Sequence, residues 1–174
     1  QVTTIKEKGT DHWKVHLIDT GQTTLTGGRL KRLMPLIGKN TFMMTYGDGV
    51  SNVNIDHLLS FHHNQKAMVT LTAVRPPARF GALEFNGHKI KHFKEKSIIH
   101  EGWINGGFFV IEPQAFRYIE KDVMWEHDPM ERLAADGNLC AFQHQDFWQC
   151  MDTARDLKYL ESLWESGQAP WKTW

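Results

Sequence analysis

A chain of 174 residues with 41% hydrophobic content is long enough to bury about 70% of its unfolded surface in one core, which excludes a disordered chain. Lys and Arg number 20 and Asp and Glu number 20, so there is no charge excess to suit nucleic acid or a membrane surface. Cys140 and Cys150 lie ten positions apart (150 − 140), too few for a disulfide framework and without a second pair for zinc, and they point to a reducing cytoplasm.

Gln1 is not an initiator, and Gln1 to Asp11 is polar without an apolar period. The start is therefore expected to belong to a chain lacking its first residues, with residues 1–12 an irregular lead-in. Trp13-Lys14-Val15-His16-Leu17-Ile18 alternates well enough for a strand. A loop rich in hydroxyls and glycine follows from Asp19, carrying Thr24 and Thr26-Gly27-Gly28 into the helix-prone run Arg29 to Met34. A Thr-Gly-Gly entry to a helix suits an anion, because first-turn N–H groups and the positive end of the helix dipole face the loop. The plain alternative is a loop and N-cap with solvated basic residues.

Phe42-Met43-Met44 reads as a short buried strand ending at Tyr46, and Gly47-Asp48-Gly49 follows. In α/β sheets ligands bind beyond the carboxyl ends of strands. An acid flanked by glycines there leaves room for a ligand, or else marks only a tight turn. Residues 54–62 form a predicted helix with Ile55, Leu58, Leu59 and His62 on one face, capped by Asn52 or Asn54. Ala67 to Val74 is an unbroken apolar, β-branched strand stopped by Pro76-Pro77. This alternation of strands and helices predicts an α/β fold with a Rossmann-like, mainly parallel sheet and flanking helices.

Asn86-Gly87 between two β-like runs predicts a hairpin inserted into that sheet. Phe108 to Ile111 is a further buried strand, and Pro113 opens a short helix reaching about Ile119. Asp128-Pro129-Met130-Glu131 has the pattern of an N-cap, a first-position proline and a capping box, with Gly137 closing the helix. Leu139 to Phe142 reads as a strand, and Phe147 to Met151 leads to Asp152-Thr153. The last helix, Ala154 to about Ser166, carries Leu157, Leu160, Leu163 and Trp164 on one face. The tail over 167–174 holds Trp171 and Trp174, which pack on the body or on a second subunit.

The 10 histidines read as structural or surface. His88 and His92 are four apart on a strand, about 13 Å along it by the strand rise. What remains for chemistry is a set of loop residues: Thr24, Gly27, Gly28, Arg29, Asp48, Glu95, Lys96, Asn105 and Asp152. Asp48 and Asp152 each follow a predicted strand. Carboxylates that converge from neighbouring strands hold Mg²⁺ together with substrate phosphates, whereas an Asp or Thr just before a helix is an ordinary N-cap.

As an ordered set, Asp19-Thr20-Gly21, Thr26-Gly27-Gly28-Arg29-Leu30-Lys31-Arg32, Thr45-Tyr46-Gly47-Asp48-Gly49-Val50, Arg79-Phe80-Gly81-Ala82-Leu83, Ile104-Asn105-Gly106-Gly107, Phe147-Trp148-Gln149, Met151-Asp152-Thr153 and Ala169-Pro170-Trp171-Lys172-Thr173-Trp174 resemble the glucose-1-phosphate cytidylyltransferase family. The resemblance implies a nucleotide-diphospho-sugar transferase fold, read over 1–174 as one domain truncated at its N-terminus. It implies CTP and glucose 1-phosphate as substrates, CDP-glucose and pyrophosphate as products, Mg²⁺ as cofactor, a role in O-antigen biosynthesis, a cytoplasmic location and a homo-oligomer.

By position in those motifs, the resemblance makes Asp48 and Asp152 the magnesium ligands, Gly47 a substrate contact, and Thr24 and Arg29 nucleotide or phosphate contacts beside Gly27 and Gly28. Lys96, after Glu95, matches a Glu-Lys-Pro lysine that approaches the sugar phosphate, with Ser97 standing where that motif has proline. Asn105 and Gly106 match a sugar-facing Asn-Gly-Gly. The family's glycine-rich Thr-Arg loop is not found in these residues. Its absence leaves a sugar-nucleotide-binding or assembly module as a second reading, and dTTP or UTP as alternative nucleotides.

Overall fold

The computed structural model describes residues 2–3, 14–76, 82–94 and 102–173. In chain order the elements are β1 (Val2–Thr3), β2 (Val15–His16), α1 (Thr26–Ile37), β3 (Phe42–Thr45), β4 (Gly49–Ser51), α2 (Ile55–Gln65) and β5 (Val69–Val74). There follow β6 (Ala82–Asn86), β7 (Lys89–Lys94), β8 (Ile104–Ile111), a 3₁₀ helix (Pro113–Tyr118), α3 (Asp128–Ala135), β9 (Leu139–Gln143), β10 (Trp148–Cys150) and α4 (Ala154–Glu165). The chain divides into two compact units, Gln1–Thr41 with Glu112–Gly137, and Phe42–Ile111 with Asn138–Trp174.

In the first unit β1 pairs antiparallel with β2. Of the predicted strand over 13–18, Val15–His16 are strand among the described residues, and Leu17 and Ile18 are exposed. A ladder of two residues presents no apolar face that would extend it. α1 starts three residues earlier than its helix-prone run, at Thr26, and buries Gly27, Gly28 and Leu30. Lys31 Nζ donates to the carbonyls of Ile119 (2.6 Å) and Glu120 (2.9 Å), tying α1 to the end of the 3₁₀ helix. Trp125, Leu133, Ile119 and Tyr118 are the buried anchors of this unit.

The start of α3 differs from the sequence expectation. His127, not Asp128, is its N-cap, and no side chain caps it. Glu131 N–H already donates to His127 O at 2.9 Å, so Asp128 lies inside the first turn, where its carboxylate cannot fold back as a cap. It still favours the positive helix end and lies 3.5 Å from Arg132 Nη1. Gly137 ends the helix as expected, at φ +69°, a left-handed conformation that glycine adopts without steric cost.

The second unit is built on a four-stranded sheet in the order β3-β8-β5-β9. β8 pairs antiparallel with both β3 and β5, while β5 and β9 pair parallel. Three of the four strands thus share one direction and β8 opposes them. β5 and β8 read as continuous apolar or β-branched runs because both faces are covered: Val69, Thr70, Thr72, Ala73, Val74, Phe109, Val110 and Ile111 are all buried. α2 buries Leu58 and His62, but Ile55, placed on the same predicted face, is 43% exposed. Asn54 caps it by accepting from His57 N at 2.9 Å. Buried His62 is satisfied by Thr70 Oγ1, 2.8 Å from its Nδ1, so it is a core histidine.

β6 and β7 form the predicted hairpin, with Gly87 at φ +61°. A second antiparallel ribbon, β4 with β10, aligns Gly49 with Cys150 and Ser51 with Trp148. β4 has no signature of its own, because three residues that begin on the second glycine of Gly47-Asp48-Gly49 carry no period. α4 opens with a complete capping box: Thr153 Oγ1 accepts from Asp156 N (3.2 Å) and Asp156 Oδ2 accepts from Thr153 N (3.0 Å). Of its apolar face, Leu160 is buried while Leu157 and Trp164 are 41% and 50% exposed. Trp171 in the tail stacks on Phe147, ring centroids 5.4 Å apart. Loss of an N-cap hydroxyl costs about 1 kcal/mol, so Thr153→Ala should lower the melting temperature by about 2–4 °C; thermal circular dichroism measures it.

Candidate active site

The carboxyl ends of β3, β5 and β9 and the amino end of β8 share one edge of the sheet, as the registers Thr45 to Phe108, Val74 to Ile104 and Ala73 to Gln143 require. This is the edge where α/β sheets bind ligands. Asp48 projects from the turn just past β3 and is exposed. Neither Gly47 nor Gly49 has a positive φ, so turn geometry does not demand either glycine. A Cβ added at Gly47 would meet nothing within 4 Å; the space beside Asp48 is open.

Asp152 reaches the same place by way of β10. The pairing of Gly49 with Cys150 is extended by a hydrogen bond from Met151 N–H to Asp48 O at 2.8 Å. Asp48 therefore stands opposite Met151, and Asp152 follows one position further along the partner segment. Asp152 is also exposed, and the cap of α4 is Thr153 rather than Asp152. The ordinary capping role is filled by the next residue, which leaves the Asp152 carboxylate to other contacts, including the Cys150 thiol that donates to its Oδ2 at 3.1 Å. Asp48 and Asp152 are both exposed carboxylates, the ligand type that a hard divalent cation takes one or two of, completing its shell from phosphates and water. No group of three or more His, Cys, Asp or Glu side chains that would form a closed metal cage occurs among the described residues.

β8 supplies the second part of the site. Gly107 adopts φ +79°, which kinks the strand, and a Cβ there would lie 2.7 Å from Tyr46 Cδ2. Asn105 Oδ1 accepts from Gly107 N at 2.9 Å and its Nδ2 donates to Tyr46 Oη at 3.2 Å. An Asn side chain has two N–H donors and two acceptor lone pairs, so one of each is left after these bonds. Tyr46 N–H donates to Gly107 O at 3.0 Å, and Trp148 Nε1–H donates to Gly106 O at 2.8 Å. By sequence Tyr46 is only a strand end and Trp148 only part of a motif. Nothing in a one-dimensional pattern signals that both grip the same kink.

Thr24, Gly27, Gly28 and Arg29 belong to the first unit. Arg29 Nη1 donates to Thr20 Oγ1 (2.9 Å) and Nη2 to Gln22 O (3.0 Å), so the guanidinium braces the loop and keeps three of its five N–H donors. Thr24 is buried. The free N–H groups expected at the Thr-Gly-Gly entry are partly spent. Gly27 N–H donates to Val123 O at 2.9 Å, and the preceding Leu25 N–H donates to Asp122 Oδ1 at 3.0 Å. The glycines are explained first by close approach to the 122–125 segment, with Asp122 taking the anion's place at this helix end. Lys96 and Glu95 lie outside the described residues, as do Arg79, Phe80, Gly81 and Ser97.

Residues 30–170 match the model of the nucleotidyl transferase family. Glucose-1-phosphate cytidylyltransferases of Salmonella typhimurium and Salmonella typhi are each 46% identical to the chain over 172 residues, covering 98% of it and 67% of each relative. The chain belongs to the nucleotidyl transferase family. This is a family of enzymes, and within it the chain groups with the glucose-1-phosphate cytidylyltransferases. It spans about two thirds of the length of those relatives. Among solved structures, HddC from Yersinia pseudotuberculosis superposes with a TM-score of 0.58 at 18% identity, covering 79% of this chain and 61% of that one, which speaks for the sugar-nucleotide transferase fold alone. No helix among the described residues is long and apolar enough to cross a membrane.

Proposed function

We propose that the chain carries the sugar-phosphate half and the metal-binding aspartates of an enzyme that joins CTP to α-D-glucose 1-phosphate, giving CDP-glucose and pyrophosphate. The observation that carries the reading is the Met151-to-Asp48 hydrogen bond, which supports a pairing of the two aspartates because it holds the Asp48 backbone against the residue that precedes Asp152. The 46% identity to two cytidylyltransferases supports the choice of nucleotide and sugar.

In the reaction so proposed, an oxygen of the sugar phosphate attacks the α-phosphorus of CTP in line and pyrophosphate leaves. No covalent bond to the protein is needed, so the protein's task is to align two anions and to oppose their repulsion. Asp48 and Asp152 would hold Mg²⁺, which when bound neutralises phosphate charge. Arg29 and Lys96 are assigned to the phosphates by their place in the family motifs. Gly47 leaves room beside Asp48, and Asn105 offers its remaining N–H and lone pair to sugar hydroxyls, with Gly106 and Glu95 assigned to the substrate by their place in the family motifs. Thr24 stands with Arg29 in the nucleotide-side loop that Gly27 and Gly28 allow to pack closely.

CTP is a cytoplasmic metabolite, which favours a cytoplasmic setting, and a homo-oligomer and a place in CDP-dideoxysugar synthesis for O antigen are proposed with it. The test incubates the intact protein with radiolabelled CTP, glucose 1-phosphate and Mg²⁺. CDP-glucose is the expected product, and its absence sinks the reading. Running dTTP and UTP beside CTP decides the base.

A further inference from the structure

The kink of β8 and the aspartate ribbon are joined by two clasps, neither of which carries substrate-like chemistry itself. On one side, the Trp148 indole reaches from β10 to Gly106 O at 2.8 Å. It passes over Gly49, where an added Cβ would lie 3.6 Å from Gly106 O and 3.7 Å from Trp148 Nε1. On the other side, Tyr46 binds Gly107 through its N–H and Asn105 through its hydroxyl, and its ring meets Phe109 edge-on at 5.6 Å. The indole of Trp148 is only half-buried. It borders a cavity of about 480 Å³ that is also lined by Arg75, Trp103, Gln145, Phe147 and Tyr159, so a ring without the N–H anchor has space to swing away.

Gly106 itself has no such freedom on its other face, since a Cβ there would lie 2.7 Å from Val74 Cγ1 and 3.0 Å from Thr72 O. We propose that Trp148 is a positioning residue, paired with Tyr46, that holds Asn105 in fixed register with Asp48 and Asp152, so that the sugar-binding and metal-binding sides of the site move as one piece. The inference rests on the functional reading above, because it assigns Asn105 to the sugar. Its physical basis is that a site must be held within a fraction of an ångström by supporting hydrogen bonds to align two substrates.

The experiment compares the intact wild-type protein with Trp148→Phe, Tyr46→Phe and the double variant. Calorimetry gives the affinities for glucose 1-phosphate and for CTP, and hydrogen exchange follows the Gly107 amide. Trp148→Phe is expected to weaken glucose 1-phosphate by up to about tenfold, the full worth of the one internal hydrogen bond that holds Asn105 in register, while CTP changes by less than about twofold on the same scale. Gly107 should exchange faster in both single variants. The double variant should lose less than the product of the single losses, because both residues hold the same turn.

Normal glucose 1-phosphate affinity in folded Trp148→Phe overturns the proposal, as does an equal loss for both ligands, which marks general loosening. Should Trp148→Phe fail to fold, Tyr46→Phe is compared with wild type in the same way, and the same two outcomes overturn the proposal. A wild-type protein that binds no glucose 1-phosphate, with or without CTP binding, overturns the functional reading. In that case the sugar role falls with it, whatever Gly107 exchange shows.

Discussion

Asp48→Asn should lower the rate of CDP-glucose formation at least about a hundredfold, as is typical when one preorganised charge at a phosphoryl-transfer centre is lost. The substitution keeps the shape of the side chain and removes its charge. The fold should be untouched, since Asp48 contributes its backbone carbonyl, not its carboxylate, to the bond with Met151. β4 still pairs with β10 and Gly47 still faces open space. An amide oxygen is a poorer ligand for a hard divalent cation than a carboxylate, so the Mg²⁺ concentration for half-maximal rate should rise as the rate falls. Steady-state assays over a magnesium titration measure both. A near-normal rate would show that Asp48 is only a turn residue.

The second large effect is on folding. Gly27→Ala should destabilise the protein by about 2 kcal/mol, although alanine is the better helix former by roughly 1 kcal/mol. A Cβ at residue 27 would lie 2.7 Å from Val123 O and 3.3 Å from Trp125 N. Both are backbone atoms that no rotamer change can move. Relief must come from lifting α1 away, which costs about 1–3 kcal/mol as overpacking and weakens the Gly27-to-Val123 hydrogen bond. That lift also strains the bonds from Trp125 N to Thr26 Oγ1 and from Thr26 Oγ1 to Glu126. Gly28→Ala should also destabilise, since a Cβ there meets the Asp122 carboxylate that holds the Leu25 N–H and lies 2.9 Å from buried Thr24 Cγ2. A shift of about 2 kcal/mol lowers the melting temperature of a chain this size by roughly 5 °C. Calorimetry should find Gly27→Ala well below wild type; a Gly27→Ala protein as stable as wild type would mean that α1 shifts without cost.

The parts of this architecture that are legible in the sequence are those decided locally. The Asn54 and Thr153 caps, the Asn86-Gly87 hairpin and the glycine stop at Gly137 each depend on a few neighbouring residues. Asp128 misleads because its motif is a local one that the backbone pre-empts: the helix begins one residue sooner, at a histidine with no cap to offer. The Thr-Gly-Gly entry misleads for the opposite reason. Its first-turn donors depend on Val123 and Asp122, almost a hundred residues away in the chain. The same holds for the site. Asp48 and Asp152 can be proposed as partners from their positions after strands, but the ribbon between their segments and the Trp148 bond to Gly106 exist only once β10 lies beside β4, and the Tyr46 bonds to Asn105 and Gly107 only once β8 lies beside β3. Side chains that support others, without touching substrate, leave the weakest trace in a pattern.

The opposed strand β8 also governs the order in which this unit can assemble. Its partners come earlier: Phe42 pairs with Ile111, 69 positions on (111 − 42), and Val69 pairs with the same residue 42 positions on (111 − 69). The β6–β7 hairpin closes in microseconds, but the middle of the sheet must wait for loop closures of that span, the kind of contact that slows folding most. During synthesis at about 5–20 residues per second, β3 is out of the tunnel for roughly 3–14 s before the strand that covers it follows. Through that interval its open edge and apolar Phe42-Met43-Met44 face solvent or a chaperone, so the yield of native protein in the cell depends on how that one strand is protected until its neighbour arrives.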